Sequence, residues 1–163
     1  ACSPTRAGLM LGQYQQRVGI YSAGDGGRGF NPKMKIFPSF LSDDYISMVV
    51  GKWHLGLDND YPQLKWHALN RGFDECWIYE KGARMAATIS HNGKPQRMAG
   101  TYPTDLFFKK ATEWIDVQRQ AKKPFFVYLP PKSPHGPYKK DSSDMPNEDY
   151  KKFLGNFFYS WIL

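Results

Sequence analysis

Two short apolar runs and one periodic stretch set the plan of this chain. Tyr45-Ile46-Ser47-Met48-Val49-Val50 and Phe125-Phe126-Val127-Tyr128-Leu129 are continuous and rich in β-branched or aromatic residues, the character of strands buried on both faces. Between them, Thr104 to about Gln120 carries Phe107, Ala111, Trp114 and Ile115 near helical spacing, with Leu106 and Val117 at the flanks. Thr104 is placed to cap that helix, Asp105 suits its first turn, and Lys123-Pro124 stops it. Its aromatic face reads as core packing. Strand, crossover helix, strand, with no internal repeat or linker, predicts a layered α/β sheet.

The remaining segments fill in around this plan. Cys2-Ser3-Pro4-Thr5-Arg6-Ala7-Gly8-Leu9-Met10-Leu11-Gly12 reads as a helix start, with Ser3 as N-cap, Pro4 in the first helical position and Gly8 or Gly12 as a weak point or end. Cys2 then stands just outside the N-terminus, where unpaired N–H groups and the helix dipole favour an anion or a reactive sulfur. Arg17 to Lys35 is a loop rich in glycine, and without a Gly-Lys-Ser/Thr ending its run from Gly24 to Gly29 is no phosphate loop. A short helical segment, Ile36 to Ser42, ends at Asp43-Asp44. Asn70 to Glu75 forms a turn feeding a strand, Cys76 to Tyr79. Further on, His91-Asn92-Gly93-Lys94-Pro95 predicts a tight hairpin turn. Asp141 to Asp149 reads as a polar loop. Tyr150 to Leu163 reads as the start of a helix whose apolar residues, Phe153, Leu154, Phe157, Phe158, Trp161 and Ile162, want a partner surface.

Composition narrows the function classes. A length of 163 residues suits one domain, able to bury roughly 70% of its unfolded surface. The net charge of +7 suits an anionic substrate or a polyanion, but the lysines lie in scattered pairs, 109–110, 122–123, 139–140 and 151–152. That spread is an ordinary solvated surface and argues against a nucleic-acid patch. No run approaches the ~18 consecutive apolar residues of a membrane span. The ten Tyr, eleven Phe and five Trp supply core and could line a sugar or aryl pocket. Cys2 and Cys76 are too few for a disulfide framework and could pair only while Cys2 is unmodified. With no initiator Met and no signal-peptide stretch, the chain reads as a piece of a longer one. His67 and His91 lie outside any motif and read as ordinary surface or core histidines.

Candidate chemistry gathers where the strands end. The first empties into Gly51-Lys52-Trp53-His54-Leu55-Gly56, and open α/β sheets place ligand groups at such carboxyl ends. The second empties into Pro130-Pro131-Lys132-Ser133-Pro134-His135-Gly136-Pro137-Tyr138, where prolines on both sides of His135 stiffen the loop. The opening run resembles the type I sulfatase signature, Cys-x-Pro-Ser/Thr-Arg followed by a small and apolar run ending in Gly. Gly51 to Gly56 is similar to the family's second signature. Asn70-Arg71-Gly72-Phe73-Asp74-Glu75 is a run common in it, and Phe125 to Pro137 resembles its segment ending in Pro-His-x-Pro. These motifs stand in the family's order and span nearly the whole chain.

That resemblance implies the alkaline-phosphatase-like fold, a three-layer αβα sandwich, with residues 1–163 as an amino-proximal part of the catalytic domain truncated at both ends. It also implies hydrolysis of sulfate esters, of aryl groups or carbohydrates, through a covalent sulfo-enzyme. Cys2 would be converted by a formylglycine-generating enzyme to formylglycine, whose hydrate is the nucleophile. Arg6 would fix the diol, Lys52 would contact the sulfate, and His54 would help the second hydroxyl expel sulfate. His135 would bind substrate and protonate the leaving alcohol. The family holds a divalent cation, usually calcium. Converted Cys2 would offer one ligand, the others would lie outside this chain, and Asp43-Asp44 is not among them. Partners would be a sulfated small molecule or polysaccharide, and the compartment periplasmic, secreted or lysosomal. The isolated piece is expected to be inactive and poorly folded. Two other readings stand beside this one: a phosphonate or phosphate monoester hydrolase of the same superfamily, and a non-catalytic basic module that binds sulfated polysaccharide.

Overall fold

The computed structural model describes residues 2–27, 29–56, 65–83 and 86–133. His135, the Asp141–Asp149 loop and the helix expected from Tyr150 lie outside the described residues. The centre is a five-stranded sheet in the order β4-β3-β2-β1-β5. Its strands are β1 (Ile46–Gly51), β2 (Glu75–Ala83), β3 (Ala86–His91), β4 (Lys94–Ala99) and β5 (Phe125–Tyr128). β1 runs parallel to both neighbours, with Val49 opposite Cys76 on β2 and Tyr128 on β5. β2, β3 and β4 are antiparallel hairpins, so the sheet is mixed.

Alternation along the strands gives the sheet two apolar faces, as period-2 geometry requires. Val49, Cys76 and Ile78, with half-buried Phe126 and Tyr128, point to one side. There Ala7 and Met10 of helix α1 (Cys2–Leu11) and Trp53, Leu55 and Phe73 complete a core. Met48, Val50 and Ile89, with half-buried Phe125 and Val127, point to the other. They meet Leu106, Phe107, Ala111 and Trp114 of helix α2 (Pro103–Gln120). One helix on each face of a sheet is the three-layer arrangement that the family resemblance implies. No helix among the described residues is long and apolar enough to cross a membrane.

Several expectations change in detail. α1 begins at Cys2, so the cysteine is in the first turn and Ser3 is inside the helix rather than its cap. Gly12, at φ +63°, ends the helix with its N–H on the Gly8 carbonyl. Single 3₁₀ turns, Gln15–Val18 and Ala23–Gly27, interrupt the glycine-rich loop. α2 is capped by the backbone of Tyr102 with Pro103 following it, and Thr104 instead donates to Ser133 Oγ. β5 is half-buried, not buried, because it is the last strand on its side of the sheet among the described residues. β2 extends to Ala83, since hairpin pairing with β3 rewards residues whose sequence reads as loop. The turn between β3 and β4 is as expected: Asn92 and Gly93 have φ of +48° and +80°, the type I′ combination.

Of the two histidines outside the motifs, one lies in the core and one is partly exposed. His67 is fully buried, and its Nδ1 accepts the N–H of Leu69 at 3.3 Å to cap the turn Ala68–Arg71. Burial of its ring lowers its pKa to about 4. His91 is half-buried, stacked on Trp77 at 4.1 Å and 3.1 Å from Glu75 Oε1. In the Asn70–Glu75 run, Arg71 donates to the carbonyls of Pro32 and Met34, and Asp74 accepts the Ser47 N–H at 2.7 Å. These bonds tie the glycine-rich loop and the start of β2 to β1.

Candidate active site

The site lies where α1 begins and β1 ends. Residues four apart share a face of a helix, so Cys2 and Arg6 point the same way. Beyond β1, Trp53 turns into the core, where its Nε1 donates to the Trp66 carbonyl at 2.9 Å, and Lys52 and His54 reach Cys2 instead. Parallel packing against β5 fixes this segment, because Lys52 N–H donates to the Pro130 carbonyl at 2.8 Å. His54 pays with a φ of +57°, unusual for a side chain with a Cβ and a conformation that concentrates at functional positions.

These elements bring Cys2, Arg6, Lys52 and His54 together. Cys2 Sγ lies 3.1 Å from His54 Nδ1 and 3.9 Å from Lys52 Nζ. Ser3 Oγ is 2.8 Å from the same Nδ1 and donates to the Ala23 carbonyl at 3.4 Å. Nδ1 is thus within hydrogen-bond reach of both Cys2 and Ser3, and the tautomer of the ring sets which atom donates. Arg6 donates to the Lys52 carbonyl at 2.6 Å and to the Tyr128 hydroxyl at 3.4 Å, so its guanidinium also holds the end of β1. A cavity of about 320 Å³ opens beside Cys2, lined by Thr5, Arg6, Leu9 and Tyr128.

The electrostatics favour an anion. Burial, with the nearby charges of Arg6 and Lys132, lowers the pKa of Lys52, opposed by the Cys2 sulfur. Burial raises the pKa of Tyr128, opposed by the charge of Arg6, so its hydroxyl remains a neutral partner for the guanidinium. The N-terminal end of α1 adds its positive dipole at Cys2. Among the described residues no group of three or more His, Cys, Asp or Glu could hold a metal ion, and calcium wants several oxygen ligands, so these residues do not make its site. Both cysteines are free, and Cys76, on β2, is buried in the core, so they do not pair.

Three side chains of this region were not marked by sequence. Ser3 reads as a cap, and its bond to His54 depends on a residue 51 positions away. Tyr128 reads as strand core; its parity with Phe126 puts it on the α1 face, a signal that becomes useful only once that face is known. Lys132 sits unremarked between prolines. His135 lies outside the described residues.

Comparison with known proteins shows the family to which the chain is similar. The family model described as Sulfatase matches residues 1–156. The chain is 29% identical over 170 residues to the N-acetylgalactosamine-6-sulfatase of Canis lupus familiaris, covering 83% of this chain and 31% of that protein. It is similar to the crystal structure of Ps i-CgsB in complex with k-i-k-neocarrahexaose, at TM-score 0.69 and 28% identity, over 94% of this chain and 40% of that one. A third likeness is to BT4656 in complex with its substrate D-glucosamine-2-N,6-O-disulfate, at TM-score 0.62 and 28% identity, over 83% of this chain and 25% of that one. The chain thus spans well under half the length of each of these relatives.

Proposed function

The chain belongs to the sulfatase family, and from that premise we propose that the complete protein hydrolyses sulfate esters of carbohydrates with Cys2, converted to formylglycine, at the reacting centre. The observation that carries this reading is the contact of Cys2 Sγ with His54 Nδ1 at 3.1 Å and Lys52 Nζ at 3.9 Å, between residues some fifty positions apart. Carbohydrate is favoured as the substrate class because the solved relatives were captured with a neocarrahexaose and a disulfated glucosamine. Residues 1–163 form an amino-proximal part of the catalytic domain.

When formed, the hydrated formylglycine supplies an oxygen nucleophile at neutral pH. The chain's own residues do the rest. Lys52 and the α1 N-terminus hold the sulfate oxygens, and charge on those oxygens is balanced where it accumulates. Arg6 fixes the Lys52 backbone and adds positive charge at the Cys2 side. His54 is the proton carrier beside residue 2, set in place by Ser3 and the Ala23 carbonyl. His135, which follows β5 in the sequence, protonates the leaving alcohol. Converted Cys2 would offer calcium one ligand, the others are assigned to the rest of the complete protein, and the isolated 163-residue piece is inactive for want of them.

The test is the mass of the peptide ending at Arg6, from protein coexpressed with a formylglycine-generating enzyme. Conversion of the thiol to an aldehyde lowers that mass by about 18 daltons. A thiol that persists in a host able to mature other sulfatases overturns the reading. Rates on matched aryl sulfate and aryl phosphate esters separate it from a phosphate monoesterase; faster phosphate cleavage would replace it.

A further inference from the structure

Lys132 is a cation that the sulfate-cleaving set leaves unused. It sits half-buried in the turn after β5, and that turn lies directly on the site: the Pro130 carbonyl accepts the Lys52 N–H at 2.8 Å. Lys132 Nζ donates to the Tyr79 hydroxyl at 2.6 Å, which passes its own proton to the Gly82 carbonyl, and lies 4.2 Å from the Tyr79 ring centroid. Its neighbour Ser133 is anchored by the Tyr102 hydroxyl at 2.5 Å and Thr104 Oγ1 at 3.2 Å. The ammonium is therefore fixed from both sides, with one of its three N–H groups committed to Tyr79.

Charge balance shows what it is fixed for. Arg6, Lys52 and Lys132 have no carboxylate in ion-pair contact among the described residues. Lys132 is close enough to act on the charge of Lys52. A sulfate monoester brings one negative charge, which the two cations Arg6 and Lys52 already exceed. A third cation half-buried in the turn next to this pair favours a substrate that brings a further anion.

We propose that Lys132 is an anion-binding residue that reads a second anionic group on the substrate, so that the protein prefers sugars carrying a further sulfate or carboxylate near the cleaved ester. This rests on the sulfatase reading for the identity of the first anion only.

The experiment is calorimetric titration of the full-length protein with inorganic sulfate, one anion, and with sucrose octasulfate, a sugar sulfated at every hydroxyl. Lys132→Met keeps the apolar stem over Tyr79 and removes the charge. It weakens octasulfate binding about tenfold and changes sulfate binding less than about twofold. Lys132→Arg restores octasulfate binding. Lys109→Met, at an exposed position on α2, leaves both constants unchanged. Equal losses for both ligands, no loss for either, a Lys132→Arg protein as weak as Lys132→Met, or an equal loss in Lys109→Met overturns the proposal. Turnover of 4-nitrophenyl sulfate by the matured wild type is measured separately. Its absence would defeat the enzymatic reading while the binding comparison still decides Lys132.

Discussion

Gly51→Ala tests whether the site depends on a close backbone approach at the end of β1. Gly51 has φ +134°, and a Cβ there would lie 2.1 Å from the Pro130 carbonyl oxygen and 2.7 Å from its carbon. The overlap exceeds about 1 Å, and backbone rather than a flexible side chain must yield. That same oxygen accepts the Lys52 N–H at 2.8 Å, so its retreat breaks that hydrogen bond. Holding alanine at this φ costs about 1–3 kcal/mol, and the lost bond adds about 1 kcal/mol. The expected destabilisation is about 2–4 kcal/mol. Gly12→Ala is the internal control: φ is +63°, but nothing lies within 4 Å of the added carbon. Its cost is the conformational one alone, about 1–2 kcal/mol. Urea unfolding of the complete protein measures both, and kcat/KM on an aryl sulfate reads the displacement of Lys52 and His54. Gly51→Ala should lose activity and Gly12→Ala should keep it. A Gly51→Ala protein no less stable than Gly12→Ala, with unchanged kcat/KM, would refute the reasoning.

Other outcomes follow from single residues. His67 has a folded pKa of about 4 against 6.5 unfolded, so the unfolded chain binds more protons in that interval. Stability therefore rises from pH 4 to 6.5 and is constant above it, a change of about 3 kcal/mol. His67→Asn keeps a cap acceptor and should flatten that slope in acid-unfolding curves; an unaltered slope assigns it to other groups. Asn92→Ala removes the Oδ1 that accepts the Cys76 N–H at 2.8 Å and a residue tolerant of φ +48°. It should cost about 1–3 kcal/mol in the same unfolding assay, and a loss below ~0.5 kcal/mol would show that the turn is not held this way. Cys2→Ser in the complete protein should release about one equivalent of alcohol per molecule and stop. Sustained multiple turnover would remove formylglycine from the proposed chemistry.

Much of the fold was legible because the apolar patterns are local. The β1 and β5 runs, the α2 period and the Asn92-Gly93 turn each depend on residues within one element, and each appears close to where its pattern lies. Burial was less legible. β5 has the composition of a central strand, yet it is half-buried, because burial depends on neighbours the run itself does not specify. Thr104 has the chemistry of a cap, but Pro103 took the first helical position and left the hydroxyl to Ser133.

Sequence alone determined which groups are available: a Cys and an Arg one helical turn apart, and a Lys and a His two residues apart past a strand. Side-chain spacing along helix and strand is a matter of covalent geometry, so those pairs share a direction whatever surrounds them. Only the tertiary structure decided that the two pairs meet. The parallel register of β1 between β2 and β5 sets the height of Lys52 and His54, and packing of Ala7 and Met10 on the sheet sets that of Cys2 and Arg6. The partnerships of Ser3 with His54, Tyr128 with Arg6 and Lys132 with Tyr79 span 51, 122 and 53 residues. No local pattern encodes separations of that size; they exist because burying both faces of one sheet forces distant segments to the same edge.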